Sequence, residues 1–317
     1  MARLPPQPSA SSLRARVGVT LLILLGLLFI SSFIALLVGT DDSGVGANTA
    51  IIPVVGVITT ADDSGVWSGG IASSGQIVEQ IERARDEGMT GIILEIDTPG
   101  GSAVASDEIA QAVKAARADG IVVVAWIREL GASGGYWVAS SSDHIVANRM
   151  SITGSIGVIG SYMEFAEFTD EWNVTYRRLV AGERKDIGDP FTELSSSQRA
   201  FLQDKLDAIH REFIAEVSAN RNMSIEEVTP LADGRFFLGV EAFDAGLVDA
   251  LGGKAEAIAY LEAETGATVV TTEYEDDESL LDVLASLTAP RPAPTVEELA
   301  RQAATTRDAS SFAPQLR

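Results

Sequence analysis

The residues Gly131-Ala132-Ser133-Gly134-Gly135-Tyr136 follow the apolar run Ile121–Ile127 and lead into Trp137-Val138-Ala139-Ser140. That order predicts a strand, a sharp turn and a helix start. It presents the Ser133 hydroxyl at a helix N-terminus, where unpaired backbone N–H groups can receive a developing negative charge. A second glycine turn, Asp97-Thr98-Pro99-Gly100-Gly101, follows the preceding apolar run Gly91–Ile96. Each turn alone is common, since Gly, Pro and Ser populate ordinary loops. Together they allow one N–H from Gly101 and one from Gly134 to hold a tetrahedral oxyanion.

A serine nucleophile also needs a base. The two histidines offer little: His144 sits in a turn entering a strand, and His210 lies within a long amphipathic helix. No acidic residue is placed to orient either one. Of the four lysines, Lys114 and Lys205 read as solvated helix positions and Lys254 as a helix start. Lys185 differs, because it lies in the loop Ala181–Phe191. A lysine base must be neutral, which asks for roughly 4 kcal/mol of bias against the ammonium form. The residues alone do not select Lys185 over a surface lysine.

Composition excludes other chemistries. The chain of 317 residues has no cysteine, so disulfides, thiolate catalysis and cysteine-ligated zinc are out. With two widely separated histidines, no metal and no cofactor are expected. A formal charge of −22 argues against nucleic acid and anionic lipid surfaces as partners. The stretch Val17–Val38 is almost wholly apolar and about 20 residues long, enough to cross a bilayer as a helix. Arg3, Arg14 and Arg16 precede it, and Asp41 and Asp42 follow. Positive-inside logic then puts the N-terminus in the cytoplasm and the rest across the membrane.

The expected organisation is a cytoplasmic stub (1–16), a transmembrane helix (17–39), a linker (40–50), a catalytic domain (51–273) and an acidic, Pro-rich tail (274–317). Within the domain, Ile51–Ile58, Gly91–Ile96 and Ile121–Ile127 read as strands, with Thr268–Glu273 as a further one. Ile71–Glu87, Val104–Arg117, Ser195–Arg221 and Lys254–Glu264 read as helices. Alternating strands and helices imply an α/β fold with buried sheets. A short helix near Thr295–Ala303 is expected in the tail.

Taken together, D-T-P-G-G, G-A-S-G-G-Y-W, S-I-T-G-S-I-G-V (Ser151–Val158) and R-K-D-I-G-D-P-F resemble the signal peptide peptidase A family of membrane-bound Ser-Lys proteases. The resemblance covers roughly Ile51 to Leu261. It implies a Clp-protease/crotonase-like spiral of β-β-α units behind the N-terminal transmembrane helix. It implies Ser133 as nucleophile, Lys185 as general base, Ser155 as the residue that orients the lysine, and Gly101 and Gly134 as the oxyanion hole. It further implies signal peptides or other membrane-associated peptides as substrates, a homo-oligomeric ring, and an extracytoplasmic catalytic domain. Thr98 stands where many relatives have serine, a change expected to leave the turn intact. Other readings are a stomatin-cleaving quality-control protease, a catalytically silent ring scaffold and a crotonase-type acyl-CoA enzyme. The last is disfavoured by the anchor and the acidity.

Overall fold

The computed structural model describes residues 24–29, 31, 46–61 and 70–274. They belong to the compact unit formed by Met1–Ser64 and Ser68–Glu275. The expected membrane span falls mostly outside these residues, and only 24–29 and 31 of it are described, as helix. Among the described residues no helix is long and apolar enough to cross a membrane. The tail beyond Tyr274, with the helix expected near 295–303, also lies outside them.

The chain forms a mixed α/β fold around one mostly parallel sheet. Its strands are β1 (Thr49–Val55), β4 (Gly91–Thr98), β5 (Val122–Ala132), β6 (His144–Ala147), β7 (Ile152–Gly154), β8 (Phe236–Leu238), β9 (Ala250–Leu251) and β10 (Thr271–Glu273). The main order is β10-β1-β4-β5-β6-β9. Strand β7 pairs parallel with the far end of β5, and β8 pairs antiparallel with β7. A small parallel pair, β2 (Val57–Thr59) and β3 (Ile71–Ser73), stands apart from it.

The apolar runs explain the layering. A strand buried on both faces carries hydrophobic residues at every position, alternate ones pointing to opposite sides. On β4, Ile92, Leu94 and Ile96 join the larger core, and Ile93 joins the smaller one on the opposite face. The larger core is closed by α1 (Ser74–Asp86), α2 (Ala103–Ala118), α3 (Gly134–Ser140) and the last part of α5 (Ser196–Arg221). A short helix, α4 (Ala166–Glu171), precedes α5, and the one-turn helix α6 (Ile225–Val228) follows it. The smaller core is closed by α8 (Lys254–Thr265) through Ala257 and Leu261.

Several boundaries move. The segment expected as one strand, Ile51–Ile58, divides at Gly56 into β1 and β2. The first expected helix starts at Ser74, because Ile71–Ser73 is drawn into pairing with β2 and Ser73 caps the helix. Helix α5 begins as expected, with Ser195 as N-cap and Gln198 completing a capping box. Its apolar stripe is only partly used: Phe213 and Val217 are buried, whereas Ile209 is 37% exposed. Between Leu231 and Asp249 the chain forms β8 and α7 (Gly239–Asp244).

Candidate active site

Strand β5 runs directly into the serine turn. Its last residue is Ala132, and α3 begins at Gly134. Ser133, as N-cap, is held at φ 52°, ψ −120°, a conformation that L-residues rarely adopt. Backbone strain of this kind costs on the order of 1–3 kcal/mol and persists only where surrounding structure fixes it. Three contacts do so. The Ser133 N–H donates to the Gly154 carbonyl at 2.8 Å, and the Trp137 N–H donates to the Ser133 carbonyl at 3.0 Å. Gly135 lies under Thr98, where an added Cβ would come 2.6 Å from the threonine methyl.

The second turn meets the first face to face. Gly100 sits at φ 94°, and a Cβ there would fall 2.6 Å from Gly134 N and 2.9 Å from Ser133 Cβ, so only glycine fits. Thr98 organises the turn: its hydroxyl donates to the Gly56 carbonyl and accepts from the Gly100 N–H at 3.0 Å. Serine would supply the same two bonds; the threonine methyl adds the contact to Gly135. The bridge to Ile58 uses the Gly100 carbonyl (2.9 Å) and the Ser102 N–H (2.8 Å). The Gly101 N–H therefore faces away from β2. Gly134 is the first helical residue, so its N–H lies outside the helix ladder. These two amides border one cleft, which also contains Ser133 and Ser155.

Ser155 follows β7 and has φ 52°. A tight turn at Asp233-Gly234-Arg235 fixes it. The Ser155 N–H donates to the Arg235 carbonyl at 2.9 Å, and its hydroxyl donates to the Gly234 carbonyl at 3.4 Å. Gly234 N–H in turn donates to the Ile156 carbonyl at 3.1 Å. The Arg235 guanidinium beside Asp233 pulls that carboxyl down to about 2.

Four of the five sequence-derived candidates thus share the cleft: Ser133, Gly134, Gly101 and Ser155. Lys185 is exposed and lies elsewhere, lining a hollow with Tyr176, Leu179 and Phe191. Its loop is braced locally. The Tyr176 hydroxyl donates to Asp189 at 2.6 Å, an interaction that lowers the Asp189 carboxyl from its usual range. Arg178 pairs with Asp186, and Tyr176 stacks obliquely on Phe191 at 5.3 Å.

The cleft, of about 680 Å³, also holds residues that the motifs did not single out. Ser106 of α2 faces Gly134, where an added Cβ would come 2.3 Å from its hydroxyl. From α5 come Leu206, Ile209, His210 and Phe213. His210 is no ordinary helix flank: its Nε2 is buried in the cleft wall. The apolar stripe of α5 is legible in the sequence, but which of its side chains face the cleft is not. The stretch Leu231–Asp249, with Asp233-Gly234, reads as turn-rich in the sequence, but nothing local placed that turn behind Ser155.

Fold and site together define a class: α/β proteins that raise a serine on a strained strand-to-helix turn, opposite a second glycine turn. Comparison with known proteins makes this specific. Residues 115–268, which include Ser133, Ser155 and Lys185, match peptidase family S49. A provisionally named protease of Synechocystis is 34% identical over 192 residues, covering 60% of this chain and 69% of that one. A provisionally named protease of Methanocaldococcus jannaschii is 33% identical over 178 residues, 56% of this chain and 57% of that one. A provisionally named signal peptide peptidase of Enterococcus faecium is 31% identical over 230 residues, 71% and 66% respectively. The chain belongs to peptidase family S49. It spans 57% to 69% of the length of these relatives.

Proposed function

We propose that the protein is a membrane-anchored serine endopeptidase in which Ser133 is the nucleophile and Lys185 the general base. The observation that carries the reading is Ser133 itself, strained at a helix N-cap with the Gly101 and Gly134 amides beside it. Membership of family S49 supports peptide-bond hydrolysis, and fits the Clp-protease/crotonase-type spiral as the parent architecture.

In this reading Ser133 Oγ attacks the scissile carbonyl and its proton passes to the lysine amine. The carbonyl oxygen, now an oxyanion, accepts from Gly101 N–H and Gly134 N–H. The protonated amine then gives its proton to the leaving nitrogen as the acyl-enzyme forms. Water, activated by the neutral amine, hydrolyses that ester. Ser155 orients the amine through its hydroxyl.

Lys185 stands outside the Ser133 cleft, so the dyad forms on assembly, when a second copy brings its own 162–191 segment over the cleft. This segment carries large exposed apolar side chains: Met163 is 73% exposed, Trp172 67% and Leu179 fully so. Apolar surface gathered in this way marks an interface, and burial there disfavours an ammonium. His210 is not the base in this reading, because its Nε2 makes no hydrogen bond to Ser133. The apolar 17–38 stretch, flanked by arginines before and aspartates after, supports an N-terminal anchor with the catalytic domain outside the cytoplasm. Remnant signal peptides and other membrane-associated peptides are the matching substrates.

The test is complementation. Ser133→Ala and Lys185→Ala should each be inactive against a peptide library, and mixing and reassembling the two should restore activity. Full activity of Lys185→Ala alone would remove the dyad; failure of the mixture would remove its delivery by a second copy.

A further inference from the structure

The two amides read as the oxyanion hole stand on different elements. Gly101 immediately precedes Ser102, the N-cap of α2, and Gly134 is the first residue of α3. Nothing local along the chain fixes their separation, so the packing of α2 against the start of α3 must. Ser106 of α2 lies at that contact and is fully buried. Its hydroxyl is so near Gly134 that an added Cβ there would come 2.3 Å from it, and the same Cβ would come 3.2 Å from the Gly101 nitrogen. The hydroxyl is itself held. It donates to the Ser102 carbonyl at 2.9 Å, which also accepts the Ser106 N–H at 3.0 Å. Ser102 is fixed in turn, its N–H donating to the Ile58 carbonyl at 2.8 Å and its hydroxyl accepting from the Ala105 N–H at 3.3 Å.

Helix formation gives no reason for a serine at this position. Alanine is the better helix former, and a hydroxyl that bonds back to the preceding turn slightly weakens a helix. Other small buried positions of α2, Ala105, Ala110 and Ala116, are alanines. What the hydroxyl adds is one oxygen atom at a fixed place, between α2 and the first residue of α3. We propose that Ser106 is a positioning residue: its hydroxyl, aimed by the Ser102 carbonyl, sets the spacing between the Gly101 and Gly134 amides. The proposal rests on the reading of Ser133 as nucleophile. Ser106 acts through Gly134 and not on the substrate. The Gly134 N–H must point to where the tetrahedral oxyanion will be, rather than to the planar carbonyl that precedes it. A donor pair slightly displaced still admits the ground state but loses its hold on the transition state.

The full-length wild type, Ser106→Ala, Gly134→Ala and the double variant are compared by steady-state kinetics on one fluorogenic peptide, with Ser133→Ala as control. Ser106→Ala should lose about tenfold in kcat with KM nearly unchanged, less than the loss of a donor costs, because the amide is displaced and not removed. A peptide aldehyde, whose hemiacetal with Ser133 carries an oxygen at the oxyanion position, should weaken as an inhibitor by about the same factor. Gly134→Ala should be the more damaged, since its methyl meets the Ser106 hydroxyl. In the double variant that methyl takes the space the hydroxyl leaves, and part of the activity should return. Wild-type kcat in Ser106→Ala, or a double variant no better than Gly134→Ala, overturns the proposal. Denaturation midpoints of the same four proteins separate spacing from plain packing. Midpoints that couple while kcat does not would make Ser106 a packing contact only, and also overturn it. These outcomes leave the peptidase reading standing whenever the wild type cleaves the peptide and Ser133→Ala does not. A wild type without such Ser133-dependent cleavage overturns that reading, and the proposal with it.

Discussion

The Ser133 N–H donates to the Gly154 carbonyl at 2.8 Å, and Ser155 is the residue that follows. The nucleophile turn and the turn that carries its neighbouring serine are therefore one mechanical piece. Strand β7 has two jobs: it pairs with β5 just before the serine, and it aims Ser155 into the same cleft.

If the strain at Ser133 is imposed by this frame, relieving it should show. Ser133→Gly and Ser133→Ala should both be inactive. The glycine variant should be about 1 kcal/mol more stable than the alanine variant, because φ 52° with ψ −120° costs glycine least. Chemical denaturation of the two variants checks this; equal midpoints would mean that the turn stores no strain.

Gly154 is the second test of the frame. At φ 76° an added Cβ would come 2.6 Å from Phe237 Cδ2. Gly154→Ala should lower stability by about 2 kcal/mol and depress activity, by turning both Ser133 and Ser155. Adding Phe237→Ala should recover the steric part of that loss and leave the backbone part. The thermal midpoints of the single and double variants read the difference.

The second glycine turn predicts a kinetic effect. A Cβ on Gly101 would fall 2.0 Å from the Ile58 carbonyl oxygen, so Gly101→Ala must push the turn away from β2. Displacing its N–H should cost about 10²–10³ in kcat with a smaller change in KM, as expected for a donor used mainly in the transition state. Steady-state kinetics on one peptide is sufficient.

Acid sensitivity should come from the far end of the sheet. Burial would raise the Asp249 carboxyl, but Arg221 wins: its Nη2 lies 2.6 Å from Asp249 Oδ1 and the carboxyl is held below its usual value. A lowered carboxyl contributes stability above its ordinary value near pH 4, and that stability is lost as pH falls through the lowered folded value. His144 stacks on Tyr260 at 3.9 Å, and burial lowers its imidazole below 6.5, against the pull of Asp249. Its contribution is likewise full above about pH 6.5 and lost as pH falls through the folded value. Urea midpoints should therefore drop in two stages, one below pH 6.5 and one below pH 4. His144→Gln should remove the first stage only.

Much of the fold was legible because burial on both faces writes itself into composition. GIILEI and IVVVAWI are apolar at nearly every position, and they became the central strands β4 and β5. Caps were equally local: the serines Ser195–Ser197 mark the start of α5 in the sequence, and the structure adds Gln198 to complete a capping box. Elements set by pairing were not legible. Ile71–Ser73 reads as the start of a helix until β2 is beside it, because three residues carry too little periodicity to decide.

The amino-acid sequence by itself determined where a serine turn and a glycine turn must stand, since both follow from the order of apolar run, glycine and helix within a few residues. It also determined the acidic balance, the lack of thiol chemistry and the apolar stretch near the N-terminus. Tertiary structure alone decided which groups share a space. It set Gly100 against Ser133, placed Ser155 by way of the Asp233–Arg235 turn, turned Trp137 and His210 toward one cleft, and put Lys185 in another hollow. The reason is physical: local conformation depends on neighbours along the chain, whereas a site depends on which faces of distant elements the core brings together.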